Sequence, residues 1–334
     1  MATIRVEGTD VQFDCRDGDV ILRAALRAGL GFPYECNVGS CGNCRFELLE
    51  GNVAHERADA PAWSERDKKR NRYLGCQARA LSDCRINLRL NDRYRCAHRP
   101  VQNRARLVET GRITHDITEF AFDLEAATSF RPGQYALLGL PGVEGGRGYS
   151  MCNTPDDGRQ WRFQIKRVPG GMATTKLFDR MVIGDGISLD GPYGNAYLRE
   201  DAPRDILCLA GGSGLSPMIS IVRAAAASDA LRRRRIRFVY GGRGPRDICG
   251  EDMLAELPGW GERIHYHAAI SEQGHAAWPG PVGFIHEVAA SLFGNDLASH
   301  EIYFAGPPPM AQAVQKMLFE AKVPFDHVHF DAFY

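Results

Sequence analysis

The sequence predicts a multidomain chain of three units in succession: an α+β unit, an antiparallel β-barrel, and an α/β unit built on a parallel sheet. Three observations carry this expectation. Seven of the ten cysteines (15, 36, 41, 44, 76, 84 and 96) fall before residue 100, so the first stretch is compositionally its own unit. From about residue 104 to 199, short strand patterns alternate with turns such as Pro132-Gly133, Pro141-Gly142 and Pro169-Gly170-Gly171, which suits a small barrel. From Asp205 onward short apolar runs alternate with helical stretches, the pattern of a parallel sheet. The expected boundaries are 1–93, 104–202 and 203–334, with 94–103 as a linker.

Composition narrows the function classes. A chain of 334 residues is long for one ordinary domain. Its 41 Lys plus Arg balance 41 Asp plus Glu, so it lacks the basic excess of a nucleic-acid binder. With 44% hydrophobic and 25% charged residues it can bury a real core. Met1 to Asp10 alternates like a strand and lacks the basic start and apolar stretch of a signal peptide. No apolar run approaches the ~20 residues of a membrane span. A cytoplasmic monomer follows, and there clustered cysteines indicate metal or redox chemistry rather than disulfides.

In the first unit, Thr3–Glu7 and Val11–Cys15 alternate around a Gly8-Thr9-Asp10 turn and predict a hairpin. A helix follows over Val20–Ala28, stopped by Gly29. Next come a Gly- and Cys-rich loop from Gly31 to Cys44 and a strand over Arg45–Leu49. Asn91 to Asn103 is polar, aperiodic and carries Pro100, which suits a linker.

The strongest signal is Cys36-Asn-Val-Gly-Ser-Cys41-Gly-Asn-Cys44, with Cys76 some thirty residues on. C-x4-C-x2-C plus a distant fourth Cys is the spacing of plant-type [2Fe–2S] clusters. A compact loop brings three sulfurs to one small cluster only if it folds tightly. Gly39 and Gly42 allow the positive φ that turns amide N–H groups inward. The rival is a structural zinc site on the same four thiolates, although zinc ribbons pair two C-x2-C knuckles and Cys76 lacks a near partner. Cys15 and Cys84 read as small buried hydrophobes on strands, and Cys96 as a bystander.

In the barrel, Arg147-Gly148-Tyr149-Ser150 follows a Gly-rich turn. Strand alternation puts Arg147 and Tyr149 on one face and Ser150 on the other. An Arg can neutralise a diphosphate, a Tyr can pack on a ring system, and a Ser hydroxyl can hydrogen-bond a ring nitrogen. Taken alone, the segment also reads as an ordinary surface strand. Downstream, Val168-Pro-Gly170-Gly171-Met172-Ala173-Thr174 looks like a Gly turn opening a helix. Its first-turn N–H groups and the Thr174 hydroxyl can hold phosphate, or simply cap the helix. Both segments together, inside a barrel, favour a dinucleotide such as FAD.

In the third unit, Asp205 to Ala210 is a buried-strand pattern running into Gly211-Gly212-Ser213-Gly214 and then a helix. Pro217 stands where G-x-G-x-x-G has its last Gly, so the motif alone is weak. A strand before and a helix after supply the context for a nicotinamide dinucleotide. Glu301 to Ala305 followed by Gly306-Pro307-Pro308 repeats the logic as a second wall of the same crevice. The strand Arg235–Tyr240 ends in Gly241-Gly242-Arg243, with Asp247 beyond. Arg243 can meet a 2′-phosphate and Asp247 a ribose hydroxyl, which leaves both NADH and NADPH open.

Over essentially its full length the chain resembles the NADH-dependent reductase components of bacterial aromatic-ring oxygenases. These form the benzoate dioxygenase reductase and toluene or phenol monooxygenase reductase group of the ferredoxin–NADP reductase superfamily. The resemblance implies a β-grasp-like ferredoxin whose cluster sits on Cys36, Cys41, Cys44 and Cys76. FAD would lie under Arg147, Gly148, Tyr149 and Ser150, with Ser150 near flavin N5. Lys166, Arg167 and Val168 would flank the flavin, and Gly171, Met172, Ala173 and Thr174 would hold its diphosphate. NADH would rest on Gly211, Gly212, Ser213 and Gly214, with Gly306, Pro307 and Pro308 near the nicotinamide. A terminal aromatic, Phe333 or Tyr334, would cover the flavin, giving Ser150 and Tyr334 as the catalytic pair. Many relatives carry Cys just before Gly-Pro-Pro; here Ala305 stands there, and no catalytic thiol is expected.

The implied reaction moves electrons from NADH through FAD to the cluster, and on to an oxygenase component or its small ferredoxin through the loop Cys36–Cys44. Two other readings are a same-architecture reductase serving a deoxysugar dehydratase and a non-enzymatic, zinc-stabilised nucleotide-binding protein. Residues 1–96 hold 16 basic and 14 acidic side chains, whereas a separate ferredoxin that must be steered to its reductase would be acidic. The basic runs Lys68 to Arg72 and Arg232 to Arg235 read first as solvated faces and second as docking patches.

Overall fold

Alternating burial builds the N-terminal sheet. Ala2, Ile4 and Val6 point inward along Ala2–Val6, which pairs antiparallel with Gln12–Cys15 across a turn where Gly8 takes φ +72°. The computed structural model describes residues 1–332. The five strands lie in the order Gln12–Cys15, Ala2–Val6, Cys84–Asn87, Arg45–Glu50, Arg72–Leu74, with Ala2–Val6 and Cys84–Asn87 parallel. The helix Ile21–Arg27 lays Ile21, Leu22, Ala24, Ala25 and Leu26 on this sheet and ends before Gly29, which takes φ +82°. The strands and helix differ from the sequence expectation by a residue at their ends, where capping geometry decides.

The middle unit is a six-stranded antiparallel sheet ordered Arg147–Ser150, Tyr135–Gly139, Gly186–Tyr193, Val101–Arg112, Ile117–Leu124, Gln160–Lys166. A bridge between Met151 and Phe163 joins its two edges, so the sheet rolls into a near-barrel. Phe120, Phe122, Leu138, Trp161 and Phe163 fill the interior, and Leu177 of the helix Met172–Asp179 closes one end. The first long strand begins at Val101, inside the stretch read as linker, because Val101 to Asn103 pair with Gly191 to Leu189. Upstream, Asn91 N–H donates to the Gly31 carbonyl at 2.8 Å and Tyr94 packs on Tyr34, so this segment is fastened to the N-terminal unit.

The C-terminal unit is a five-stranded parallel sheet: Ile264–Ile270, Ile236–Gly242, Asp205–Gly211, His300–Gly306, Val328–Ala332. The fifth strand, Val328–Ala332, was not in the sequence expectation, since Val-His-Phe-Asp-Ala does not read as an apolar run. The order reverses between Asp205–Gly211 and His300–Gly306. A crevice therefore opens at the carboxyl ends of those two strands, where ligands bind in open α/β sheets.

The three units share packed contacts. Tyr135, Leu137 and Tyr193 of the barrel belong to the same buried cluster as the N-terminal core. Beside them Arg27 forks onto both carboxylate oxygens of Asp190 at 2.6 Å and reaches Asp19 at 2.7 Å, while Tyr193 Oη donates to Asp190 at 2.7 Å. Asp190→Asn leaves the guanidinium half-compensated in a largely desolvated site. We expect a loss of about 2–3 kcal/mol in urea unfolding, below the ~3–5 kcal/mol of a fully buried pair, because both side chains keep some solvent contact.

Candidate functional site

Four thiols converge beneath the loop 36–44. Gly39 and Gly42 take φ +84° and +81°, and the turn they make aims amides at sulfur. Ser40 and Cys41 N–H both donate to Cys36 Sγ at 3.3 Å, and Asn43 N–H to Cys41 Sγ at 3.5 Å. Gln77 Nε2 reaches Cys76 Sγ at 3.7 Å. The neighbouring Cys41 thiol first, then the amides of Val38, Ser40 and Cys41, pull Cys36 down to about 6. Cys41 and Cys44 rise, each sharing a proton with its neighbour (Cys36 and Cys76 respectively) in a desolvated site.

The sulfurs therefore form two pairs, Cys36 with Cys41 and Cys44 with Cys76. Among the described residues, the one trio of His, Cys, Asp or Glu ligand atoms lying within 4.8 Å of one another is His115, Asp116 and Asp247. No three sulfurs close on a single point, as a mononuclear tetrahedral zinc with Zn–S of about 2.3 Å requires. Two pairs of thiolates with inward amides fit a binuclear cluster. All ten cysteines are free thiols; Cys15, Cys84, Cys152 and Cys208 are buried, and Cys96 lies 3.8 Å from Tyr34 Oη.

The barrel presents a second set of residues. Arg147–Ser150 pairs antiparallel with Tyr135–Gly139, placing Ser150 opposite Tyr135 and Tyr149 opposite Ala136. Arg147 and Tyr149 are half-buried, Gly148 is exposed, and Ser150 is buried with its Oγ lacking a partner among the described residues. A buried hydroxyl without a partner is costly, and here it fits a ligand atom. Arg147 folds back on the carbonyls of Glu144, Gly145 and Gly146 at 3.1–3.3 Å. The helix Met172–Asp179 starts at Gly171 with no side-chain cap, which leaves its first N–H groups for a phosphate. Thr174 Oγ1 is occupied by Val168 and the Gly171 carbonyl, so it shapes this turn while the backbone faces outward. Ala173 is buried and Met172 and Val168 are exposed. Arg167 pairs with Asp179, and Lys166 pairs with Asp116 at 3.0 Å. These features fit a flavin dinucleotide.

The crevice of the parallel sheet holds the third set. A Cβ on Gly214 would overlap the Ala305 carbonyl, and one on Gly211 or Gly306 would stand 2.6 or 2.5 Å from Met310 Sδ. The two strand-to-helix turns thus meet backbone to backbone, Gly211 through Gly214 on one side and Gly306, Pro307 and Pro308 on the other. Gly212 takes φ +57°, and its missing side chain would meet Lys166 at 3.4 Å. The exposed ends of these turns fit a dinucleotide diphosphate. Arg243 is exposed at the end of its strand, while Asp247 Oδ2 accepts the N–H groups of Arg243 and Gly244 at 3.1 and 2.9 Å.

The structure also assembles residues that the sequence reading missed. Ser216 Oγ donates to the Ser150 carbonyl at 2.6 Å and accepts from Gln164 N–H at 3.2 Å. Ser220 and Arg223, from the same helix Leu215–Ala227, reach the carbonyls of Asn153 and Cys152 at 2.7 and 2.9 Å. Polar residues at i, i+4 and i+7 of an otherwise apolar helix were a legible sign of a second buried contact. Tyr135 Oη donates to the Glu35 carbonyl, next to Cys36, at 2.6 Å, and Gly194 N–H donates to Tyr34 Oη at 3.0 Å. Gly194 takes φ +103°, and a Cβ there would stand 3.1 Å from the Tyr135 ring and 3.3 Å from Asp331 Oδ2. Ser216, Ser150 with Tyr135, and Glu35 beside Cys36 thereby bring the three units to one place. Phe333 and Tyr334, expected over the flavin, lie outside the described residues.

Comparison with known proteins agrees unit by unit. Residues 4–81 match the 2Fe-2S iron-sulfur cluster binding domain, 104–197 the oxidoreductase FAD-binding domain and 208–316 the oxidoreductase NAD-binding domain. The chain is 38% identical to the ferredoxin–NAD(P)(+) reductase CarAd of Metapseudomonas resinovorans, with 100% of both chains covered. The chain belongs to the ferredoxin–NAD(P)(+) reductase components of oxygenase systems. It is 36% identical to the ferredoxin–NAD(+) reductase component of the alkene monooxygenase system of Xanthobacter autotrophicus (strain ATCC BAA-1158 / Py2), covering 96% of this chain and 97% of that one. The solved ferredoxin reductase in carbazole 1,9a-dioxygenase superposes with a TM-score of 0.93 at 38% identity over 99% of this chain and 98% of that chain. The reductase is thus an NAD(P)H-dependent flavin and iron–sulfur oxidoreductase, and no helix among its described residues is long and apolar enough to cross a membrane.

One buried group of the reductase gives a pH test. Asp331 is buried, its Oδ2 has no partner among the described residues, and desolvation first, then Glu35, hold its carboxyl up to about 7. The folded state then binds a proton that the unfolded chain releases near pH ~3.9, so this group's contribution to stability falls as pH rises from about 4 to 7. Asp331→Asn should gain stability over the parent at pH 8 relative to pH 5, by at most about 3 kcal/mol in urea unfolding.

Proposed function

We propose that this reductase takes reducing equivalents from NADH, with NADPH also accepted, and delivers them one at a time to an oxygenase component or a small ferredoxin. The observation that carries the reading is the junction at Tyr135: its hydroxyl holds the Glu35 carbonyl beside Cys36, and its strand partner is Ser150, whose carbonyl is held by Ser216 of the nucleotide unit. When bound, the groups supply a hydride donor, a two-to-one electron converter and a one-electron carrier.

The chain's own residues set their places. Cys36, Cys41, Cys44 and Cys76 hold the cluster, and the amides of Ser40, Cys41 and Asn43 hydrogen-bond the thiolates. Arg147 to Ser150, Lys166 to Val168 and Gly171 to Thr174 hold the flavin, with the unpartnered Ser150 hydroxyl facing its ring. Gly211 to Gly214 and Gly306 to Pro308 seat the nicotinamide dinucleotide. We assign Ser150 and Tyr334 as the catalytic pair, and Phe333 or Tyr334 to the flavin. Functionally the chain divides at 1–93, 104–202 and 203–334, works as a cytoplasmic monomer, and serves an oxygenase acting on aromatic rings.

Two measurements test this. Purified reductase should carry iron and FAD near two and one per chain, and Cys76→Ser should keep the bleaching of flavin by NADH while losing most cytochrome c reduction; unchanged cytochrome c reduction would rule out the route through the cluster. Arg243, exposed and without an ion pair among the described residues, is the group for a 2′-phosphate, because Asp247 Oδ2 is held by its own loop and Oδ1 lies 3.7 Å from His115 Nε2. Arg243→Ala should raise KM for NADPH about tenfold and change KM for NADH by less than about twofold in steady-state assays.

A further inference from the structure

The electron exit lies where the cluster loop meets solvent. Cys44 and Cys76 are buried, Cys36 and Cys41 half-buried, and Asn43 is exposed, so the segment 40–43 forms the open edge. Cys36 adjoins Glu35, whose carbonyl is taken by Tyr135 of the barrel, and this contact marks the entry side.

The segment 57–72 runs along the open edge. Ala62 N–H donates to the Gly39 carbonyl at 3.2 Å, and Arg45 Nη2 donates to the Ala62 carbonyl at 3.1 Å. A Cβ on Gly42 would stand 3.1 Å from Arg45 Nη2 and 3.4 Å from Ala62 Cβ. Arg45 in turn pairs with Asp67 at 3.0 Å, which fixes the helical turn Glu65–Lys68 against the loop.

Charge on this segment is one-sided. Residues 57–72 carry six basic side chains and three acidic ones, in a chain whose net charge is zero. Each acid is engaged: Asp59 by Arg57 at 3.1 Å, Glu65 by Lys68 at 2.6 Å and Asp67 by Arg45. Arg66, Lys69 and Arg70 are exposed and, among the described residues, make no ion pair or side-chain hydrogen bond. The other basic run, Arg232 to Arg235, lies far from the cluster loop. Arg235 is paired with Asp205 at 2.7 Å, and the run leads into the start of the strand Ile236–Gly242, at the end of the sheet away from the nucleotide turns.

We propose that Arg66, Lys69 and Arg70 form the docking face for a separate, small acidic electron-carrier protein, which takes its electron at the loop 40–43. The proposal rests on the reading that electrons leave through the cluster. An unpaired basic rim beside a half-open redox site raises the encounter rate with an acidic partner and aligns it, and such steering weakens as salt shortens the Debye length. Fusion has removed the need for steering inside the chain; the last transfer, to another molecule, is where it acts.

The test uses the complete, cofactor-loaded reductase and NADH, with acidic cytochrome b5, basic cytochrome c and ferricyanide as acceptors. In Arg66→Glu/Lys69→Glu/Arg70→Glu, kcat/KM for cytochrome b5 should fall about tenfold at roughly 20 mM salt, and the gap should close to within about twofold at roughly 0.5 M. Cytochrome c reduction should hold or rise, and ferricyanide reduction should not change. Arg66→Lys/Arg70→Lys should match the parent. A cytochrome b5 rate unaffected by charge reversal, or a fall shared equally by both cytochromes at every salt concentration, overturns the docking face. Failure of the unmodified reductase to reduce either cytochrome while it reduces ferricyanide overturns the exit through the cluster itself, and the docking face with it.

Discussion

Tyr135 belongs to two units at once, and the geometry of the reductase depends on it. Its ring lies in the buried cluster of the N-terminal unit, and its hydroxyl holds the Glu35 carbonyl one residue before Cys36. Its backbone pairs with Ser150 on the barrel. A phenol buried this deeply needs a partner for its hydroxyl, and the partner it finds is the main chain that leads into the cluster loop. The flavin strand and the cluster loop therefore cannot drift apart without exposing a large aromatic ring and stranding a buried O–H.

The nucleotide unit is fixed to the same strand by a different device. Ser216, Ser220 and Arg223 reach three main-chain carbonyls within four residues, those of Ser150, Asn153 and Cys152. The helix that follows the Gly211–Gly214 turn is thus the helix that grips the end of the strand Arg147–Ser150. Gly194 completes the meeting point, because only a residue without a side chain lets Tyr135 and Asp331 approach so closely at φ +103°.

Electrostatics is divided by burial. Inside, Arg27 with Asp19 and Asp190 is a hydrogen-bonded network between units, strong in geometry and less screened by salt than exposed pairs. Outside, the balanced formal charge conceals a local surplus beside the cluster. Net charge alone pointed to an electron relay with internal handovers, and the positions of the charges add where the external one takes place.

The sequence by itself determined the chemistry of each unit. C-x4-C-x2-C with a distant Cys, Arg-x-Tyr-Ser before a Gly turn, and a Gly-rich strand-to-helix turn are each local patterns, legible because the backbone needs those residues within a few positions of one another. It also determined the order of the units and all but one strand of the parallel sheet; Val328–Ala332 escaped because its polar residues obscure the apolar pattern on which such a strand is recognised. What only the tertiary structure decided is how the units face each other. Tyr135, Gly194, Ser216 and Asp331 carry no motif, and Tyr135 meets Glu35 across a hundred residues of chain. Such contacts are set by packing between surfaces, which depends on every residue of both faces and leaves no spacing to read.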